Sequence, residues 1–334
     1  MKSPTIITGM GAVSPAGWGV ESLVQAVLDR QSLPMTAMST ERELRARIVP
    51  RPVPNAELIR HPRLRRASPL SLFAASACLE ALGLKGRERL AGGQWRLGLI
   101  YSLMNGCVGY SGKFYGEVLQ NPATASPILF PETVFNAPAS HLAAFLGLDG
   151  LVTTVVGDSA QFLASFEMAQ MWLEMDLLDA CLVVGAEEAD WLTAAAFKLL
   201  GRGQVMAEGA GAVLLEKEGR GPEILHLQVL PITSAADRTK ALAALRQERK
   251  GGFCVDDCTG NAQRDRPWKE DSMERISPLK IFGEGFGTSA AWQTVLAASL
   301  IQQMPERGEV GWVLASGMNQ QAALLGLTSV PGVK

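Results

Sequence analysis

The 334-residue sequence has no apolar run approaching the ~20 residues a bilayer-spanning helix needs, which argues against a membrane span. Its first β-like run, Thr5-Ile-Ile-Thr8, is too brief and too poorly flanked to be a secretory core, so the cytoplasm is the expected location. Charge of one sign is missing as well. Lys and Arg number 31 against 33 Asp and Glu, a formal −2, and nothing in that balance points to nucleic acid or another polyanion. Metal-type spacing is absent: Cys254 and Cys258 are four apart, but no second Cys/His pair stands beside them. Cys78, Cys107, Cys181 and Cys254 read as small buried apolar residues, and Cys258 is kept as a candidate. The loop Gly9-Met-Gly11 is only part of a dinucleotide fingerprint, without the third glycine or an acidic residue on a second strand. Its glycines are expected to let the chain turn tightly under a sheet edge. Nothing resembles an interdomain linker.

What is present is material for a large core, with 47% hydrophobic and 19% charged residues. Strand and helix patterns alternate along the chain. Apolar residues at helical spacing predict a helix over Pro69–Leu82, and Arg96–Tyr101 reads as a short strand. Ala180–Ala186 and Glu208–Glu216 read as buried strands. After Pro222 the pattern begins again: strand 224–230, helix 237–249, strand 252–256, a polar loop 257–274, a helix within 288–304, and strands 311–315 and 322–327. Recurrence in similar order predicts a duplicated α/β unit with a largely buried sheet in each half, divided at 1–219 and 220–334.

The centre of the chain is Val152-Thr-Thr-Val-Val-Gly-Asp158-Ser159, a β-branched run that breaks at a glycine and feeds a helix. Such a turn holds its residue exposed to the helix amides and dipole, a setting suited to a nucleophile. Either Asp158 or Ser159 can equally cap the helix, which alone is worth about 1 kcal/mol. Glu187 and Glu188 are paired acids, yet strand geometry sends their side chains to opposite faces. His141, alone on a helix, reads as a packed or capping residue. The cluster Arg60, Arg63, Arg65, Arg66 is either a solvated loop or a docking patch for an acidic partner.

Several motifs together resemble the β-ketoacyl synthase family. Ile7-Thr-Gly-Met-Gly-Ala-Val-Ser-Pro-Ala-Gly17 is similar to its opening strand and loop, and Phe135 to Gly147 to the segment before its nucleophile. Thr154 to Ala169 takes the elbow position, and Glu208 to Leu215 that of its glycine-rich strand. Ser277-Pro-Leu-Lys280-Ile-Phe-Gly283-Glu284 looks like its second-histidine motif, and Ala315 to Gln321 falls where its last glycine-rich loop belongs. The resemblance implies a thiolase fold, two βαβαβ halves stacked as α-β-α-β-α layers, and usually a dimer, with no cofactor.

Active members of the family use Cys-His-His. Here the nucleophile position holds Ser159 after Asp158, the first histidine position Asp257 (or Cys258, one residue on), and the second Glu284, while Lys280 matches the family's lysine. A serine at a helix start needs a partner base, and an anionic carboxylate cannot donate to a developing oxyanion. Loss of one oxyanion donor costs about 10²–10³ in rate. Condensation by the family's usual route is therefore not expected.

The resemblance then implies a partner subunit of fatty acid or polyketide-type biosynthesis, similar to a chain length factor. It would pair with an intact ketosynthase or with itself, line the acyl tunnel through Met104, Phe135, Phe162 and Met318, and dock an acyl carrier protein on Arg60 to Arg66. Two alternatives stand. One is a serine-dependent acyltransferase or thioesterase-like enzyme with Ser159 assisted by Asp257, Glu284 or Lys280; the other is a homodimeric, non-catalytic binder of acyl chains.

Overall fold

Strand β1 (Ile6–Ser14) continues through Gly9 and Gly11 instead of turning at them, with an irregularity in its pairing between Ile7 and Gly9. It is followed by β2 (Gly17–Trp18), α1 (Val20–Leu28), β3 (Thr36–Ser39), β4 (Leu44–Arg47) and the helix α2 (Pro69–Ala91). The two glycines are explained by α2, because a Cβ at Gly9 or Gly11 would lie 1.9 Å from the carbonyl oxygen of Ala81 or Ala77. Helix and strand backbones touch there, which only glycine permits. Helix α2 also outruns its expected end at Leu82, continuing past a kink at Gly83 (φ 59°, ψ −168°). The computed structural model describes residues 4–39, 43–51, 58, 60–200, 204–258, 273–316 and 321–329.

The first part of the chain continues with β5 (Leu97–Leu103), α3 (Val108–Gln120), α4 (Ala137–Leu146) and β6 (Val152–Val156). Then come α5 (Ser159–Glu174), β7 (Ala180–Glu187), α6 (Trp191–Leu199), β8 (Met206–Ala207) and β9 (Gly209–Glu216). The second part is β10 (Glu223–Pro231), α7 (Ala235–Glu248), β11 (Phe253–Asp256), β12 (Glu274–Ile276), α8 (Leu279–Phe282), α9 (Gly287–Gln303), β13 (Val310–Ala315) and β14 (Gln321–Thr328). The short edge strand β12, which starts where the expected polar loop ends, was not foreseen.

The strands follow the order β12-β11-β13-β14-β10-β1-β9-β7-β5-β6. Strand β5 is parallel to β6 and β7, and β11 is parallel to β12 and β13, while β9, β10 and β14 run antiparallel to their neighbours. The two runs meet through one residue pair, Ile6 with Glu223. Helix α9 packs against β7 and β9 of one run and β11 and β13 of the other, and α5 likewise reaches β7 and β14. These helices therefore lie between the two runs. Helices α2 and α4 cover the far face of the first run and α7 that of the second, giving α-β-α-β-α layers. Every residue of α9 from Gly287 to Ile301 is buried, as a helix enclosed by sheet on two sides must be.

The α2–β1 contact provides a direct test of this packing. Gly11→Ala should cost at least about 3 kcal/mol or abolish folding, since the clash is with backbone that cannot rotate away. Gly116→Ala in α3, where a Cβ meets nothing within 4 Å, should be neutral or stabilise by about 0.5–1 kcal/mol. Urea unfolding of both variants checks the contrast.

Candidate functional site

The elbow forms as the sequence pattern implies. Strand β6 ends at Val156, Asp158 stands in extended conformation at the N-cap of α5, and its carboxylate accepts the Ala160 N–H at 3.2 Å. Ser159 is the first helical residue and is buried. Its hydroxyl donates to the backbone carbonyl of Phe286 at 2.8 Å. A carbonyl cannot take the proton that a serine must surrender on attack. In this arrangement the hydroxyl ties two helices together.

Phe286 is the residue that sequence reasoning missed. It precedes α9 with φ 50° and ψ −116°, a backbone state that costs a non-glycine residue about 1–3 kcal/mol. Both sides of it are held. Glu284 accepts its N–H at 2.9 Å through Oε1, and Ser159 donates to its carbonyl. Two such bonds, each worth about 1 kcal/mol, offset the strain. Glu284 is itself fixed by backbone bonds to Val205 and Ala207, and Gln204 Nε2 donates to its Oε2 at 3.4 Å. The Phe286 ring packs in a small apolar cluster with Ala46, Phe197 and Met206, against which Met104 leans. The only signal in the sequence was a bulky residue between two glycines, Gly285 and Gly287.

Ser159 and Glu284 are thus brought together around one residue, Phe286. Asp257 follows β11 and accepts both the N–H (2.9 Å) and the hydroxyl of Ser316, at the end of β13. Lys280 is exposed on α8 and lines a surface groove beside the end of α1. Of the expected tunnel residues, Met104 is half-buried beside Phe286, Phe135 is 46% exposed, and Phe162 is wholly buried edge-to-face against Phe166. Met318 lies outside the described residues. Arg60, Arg63, Arg65 and Arg66 are all exposed around the buried anchor Leu64, and none has an ion-pair partner among the described residues. His141 meets Glu132 at 2.8 Å, the packed role expected of it. All five cysteines are buried, and burial pushes the Cys107 thiol up to about 12, far from a nucleophile's range. Cys258 receives a hydrogen bond from Arg275 Nη2 at 3.0 Å. Among the described residues no group of three or more His, Cys, Asp or Glu could hold a metal, and no helix is long and apolar enough to cross a membrane.

The loops around the elbow are laced by buried carboxylates. Glu187 accepts the N–H groups of Met104 and Asn105 just past β5, whereas Glu188 takes that of Gly109 and the Ser68 hydroxyl. The two acids serve different loops and form no dyad. Glu208 accepts from Val49, Ala189 and Arg51. Burial raises the affinity of Glu187, Glu188, Asp190 and Glu208 for protons, most strongly for Glu187.

Five layers, two helices sandwiched between the strand runs, and an elbow at the carboxyl end of a parallel strand define a protein of the thiolase fold class. The model of the β-ketoacyl synthase N-terminal domain matches residues 2–220, and the chain belongs to that family. No curated protein matches it. Among solved structures it is similar to the ishigamide ketosynthase/chain length factor, with 19% identity, 98% of this chain and 99% of that one covered, and a TM-score of 0.81. It is similar also to AntDE:AntF, a type II acyl-carrier protein in complex with its ketosynthase bound to the hexaketide (15%, 99% and 100%, 0.78). A third is the ketosynthase ApeO in complex with its chain length factor ApeC from Xenorhabdus doucetiae (14%, 98% and 98%, 0.76).

Raised carboxyl affinities make stability depend on pH. The folded chain holds protons that the unfolded chain releases above about pH 4.3, so this contribution is full below that value and is lost as pH rises through the raised folded-state value. Glu187→Gln keeps an acceptor oxygen for the loop and removes the titration. Its stability relative to wild type should therefore improve as pH rises above about 5 in urea unfolding; parallel curves would contradict the assignment.

Proposed function

We propose that this β-ketoacyl synthase family member is a non-condensing partner subunit of fatty acid or polyketide-type biosynthesis, pairing with an intact ketosynthase and helping to shape its acyl tunnel. The observation that carries the reading is the Phe286 clamp. The hydroxyl at the nucleophile position and the carboxylate at the second histidine position are both engaged by one strained residue, the first through its carbonyl and the second through its N–H. At the two helix starts the Ala160 amide is taken by Asp158 and the Phe286 amide by Glu284. The neighbours named as ketosynthase and chain length factor pairs, and as a carrier protein bound to its ketosynthase, agree with this role.

A surface for the partner is available. Strand β6 is outermost in the sheet order and pairs with β5 alone among the described residues, while Leu151, Val152 and Val156 beside it are 37%, 37% and 53% exposed. An open apolar edge of this kind invites another strand. Helix α3 has no buried residue and exposes Tyr115 and Leu119. A subunit of the same fold seated on β6 and α3 would cover both.

Co-expression with an intact Cys-His-His synthase tests the proposal. The two chains should co-purify, and product formation should require both and survive Ser159→Ala within about twofold, because a structural hydroxyl is not consumed. Val156→Lys should reduce co-purification by about tenfold or more. A stable acyl adduct in intact-mass spectra, lost in Ser159→Ala, would replace this reading with the serine enzyme. A lone, lipid-retaining dimer indifferent to the synthase would replace it with the homodimeric binder. Reversing Arg63 and Arg65 to Glu should weaken carrier protein binding by about tenfold at low salt; unchanged affinity would dismiss that patch.

A further inference from the structure

The groove that Lys280 faces lies at the opposite edge of the sheet from β6, between the end of α1 and β12, and has a volume of about 490 Å³. That is the size of a small-molecule site. Its lining carries four cationic side chains, Arg30, Arg275, Lys280 and Arg307, against a single carboxylate, Glu274. Two of the four are already balanced: Arg275 Nε bonds the buried Asp256 carboxylate at 2.7 Å, and Arg307 pairs with Glu274. They act as walls. Arg30 and Lys280 are exposed and have no ion-pair partner among the described residues. Arg30 also holds a positive φ of 50° where the chain leaves α1. Beneath these cations the lining is aliphatic, from Val27 and Leu28 of α1 to Ile281 of α8.

We propose that this groove binds an organic phosphate monoester, its phosphate held by Arg30 and Lys280 and its apolar stem laid over Val27, Leu28 and Ile281. A phosphate monoester carries close to two negative charges at neutral pH, which matches the two unbalanced cations better than a single carboxylate does. The guanidinium of Arg30 offers the planar fork that phosphate oxygens accept in pairs, and Lys280 supplies the second charge as a point donor. The aliphatic lining, in turn, selects a ligand with a hydrocarbon body over inorganic phosphate. The site is separate from the Phe286 clamp and from the surfaces given to the synthase and carrier protein, and stands whether or not those assignments do.

Isothermal titration of the purified chain at low salt with phenyl phosphate, inorganic phosphate and benzyl alcohol tests both halves of the proposal. Phenyl phosphate should bind, inorganic phosphate at least about tenfold more weakly, and benzyl alcohol not measurably. The double variant Arg30→Gln, Lys280→Gln should lose at least about tenfold in affinity with an unchanged melting temperature, both side chains being exposed. The Arg63→Glu, Arg65→Glu variant should bind phenyl phosphate like wild type. Equal affinity for inorganic and phenyl phosphate would overturn the apolar stem. Absence of phenyl phosphate binding, or binding unaffected by the double variant, would overturn the site.

Discussion

The rest of the structure depends on how closely α9 passes between the two strand runs. A Cβ at Gly185 on β7 would stand 2.5 Å from the carbonyl oxygen of Gly287, and one at Gly211 on β9 would stand 2.7 Å from the Cβ of Ala291. At these points the helix approaches the strand backbone directly, with no more than the Ala291 methyl between them. Trp292 fixes its depth, donating its indole N–H to the carbonyls of Val13 (3.0 Å) and Ala210 (3.1 Å) on two neighbouring strands. With the helix start so placed, the chain arriving from Gly283 must turn sharply. Phe286 absorbs that turn in a left-handed conformation, and its peptide faces Ser159. The clamp at the elbow is thus a consequence of layer spacing.

Much of this architecture was legible in the sequence because burial leaves a periodic mark. Continuous apolar runs such as Ala180–Ala186 and Gly311–Ala315 belong to strands covered on both faces, and both became strands. The elbow was legible from a β-branched run, a glycine and a capping residue. Gly9 and Gly11 were harder, since glycine marks both tight turns and close backbone approach, and only the position of α2, some 70 residues on, decides between them. Strand β12 escaped notice because three edge residues, half in water, leave no pattern.

Within the site, residue types were readable and their pairings were not. Asp158 could be foreseen as a cap, since its partner Ala160 is two residues away. The partner of Ser159 is 127 residues away, and that of Asp257 is 59 residues away. Contacts of that separation are set by how layers stack, which no local spacing encodes. Alternation along a strand did foresee that Glu187 and Glu188 part company, and the loops they reach, 104–105 and 109, add what alternation could not.

Replacing histidine by carboxylate changes the direction of hydrogen bonding, and that change reaches beyond one residue. A histidine at position 284 could present an N–H to a substrate carbonyl; a glutamate accepts, and it finds a donor in its own chain at Phe286. Asp257 does the same with Ser316. Each carboxylate thereby satisfies a donor of its own fold. Ser159 in turn gives its hydroxyl proton to the Phe286 carbonyl. A site rebuilt in this sense is well suited to stability and poorly suited to stabilising negative charge on a ligand. The outermost strand β6, by contrast, stands apart from the clamp. On the proposed reading, chemistry and assembly are separable: Ser159 and Asp257 lie just past the carboxyl ends of β6 and β11, and the proposed pairing surface runs along the open side of β6.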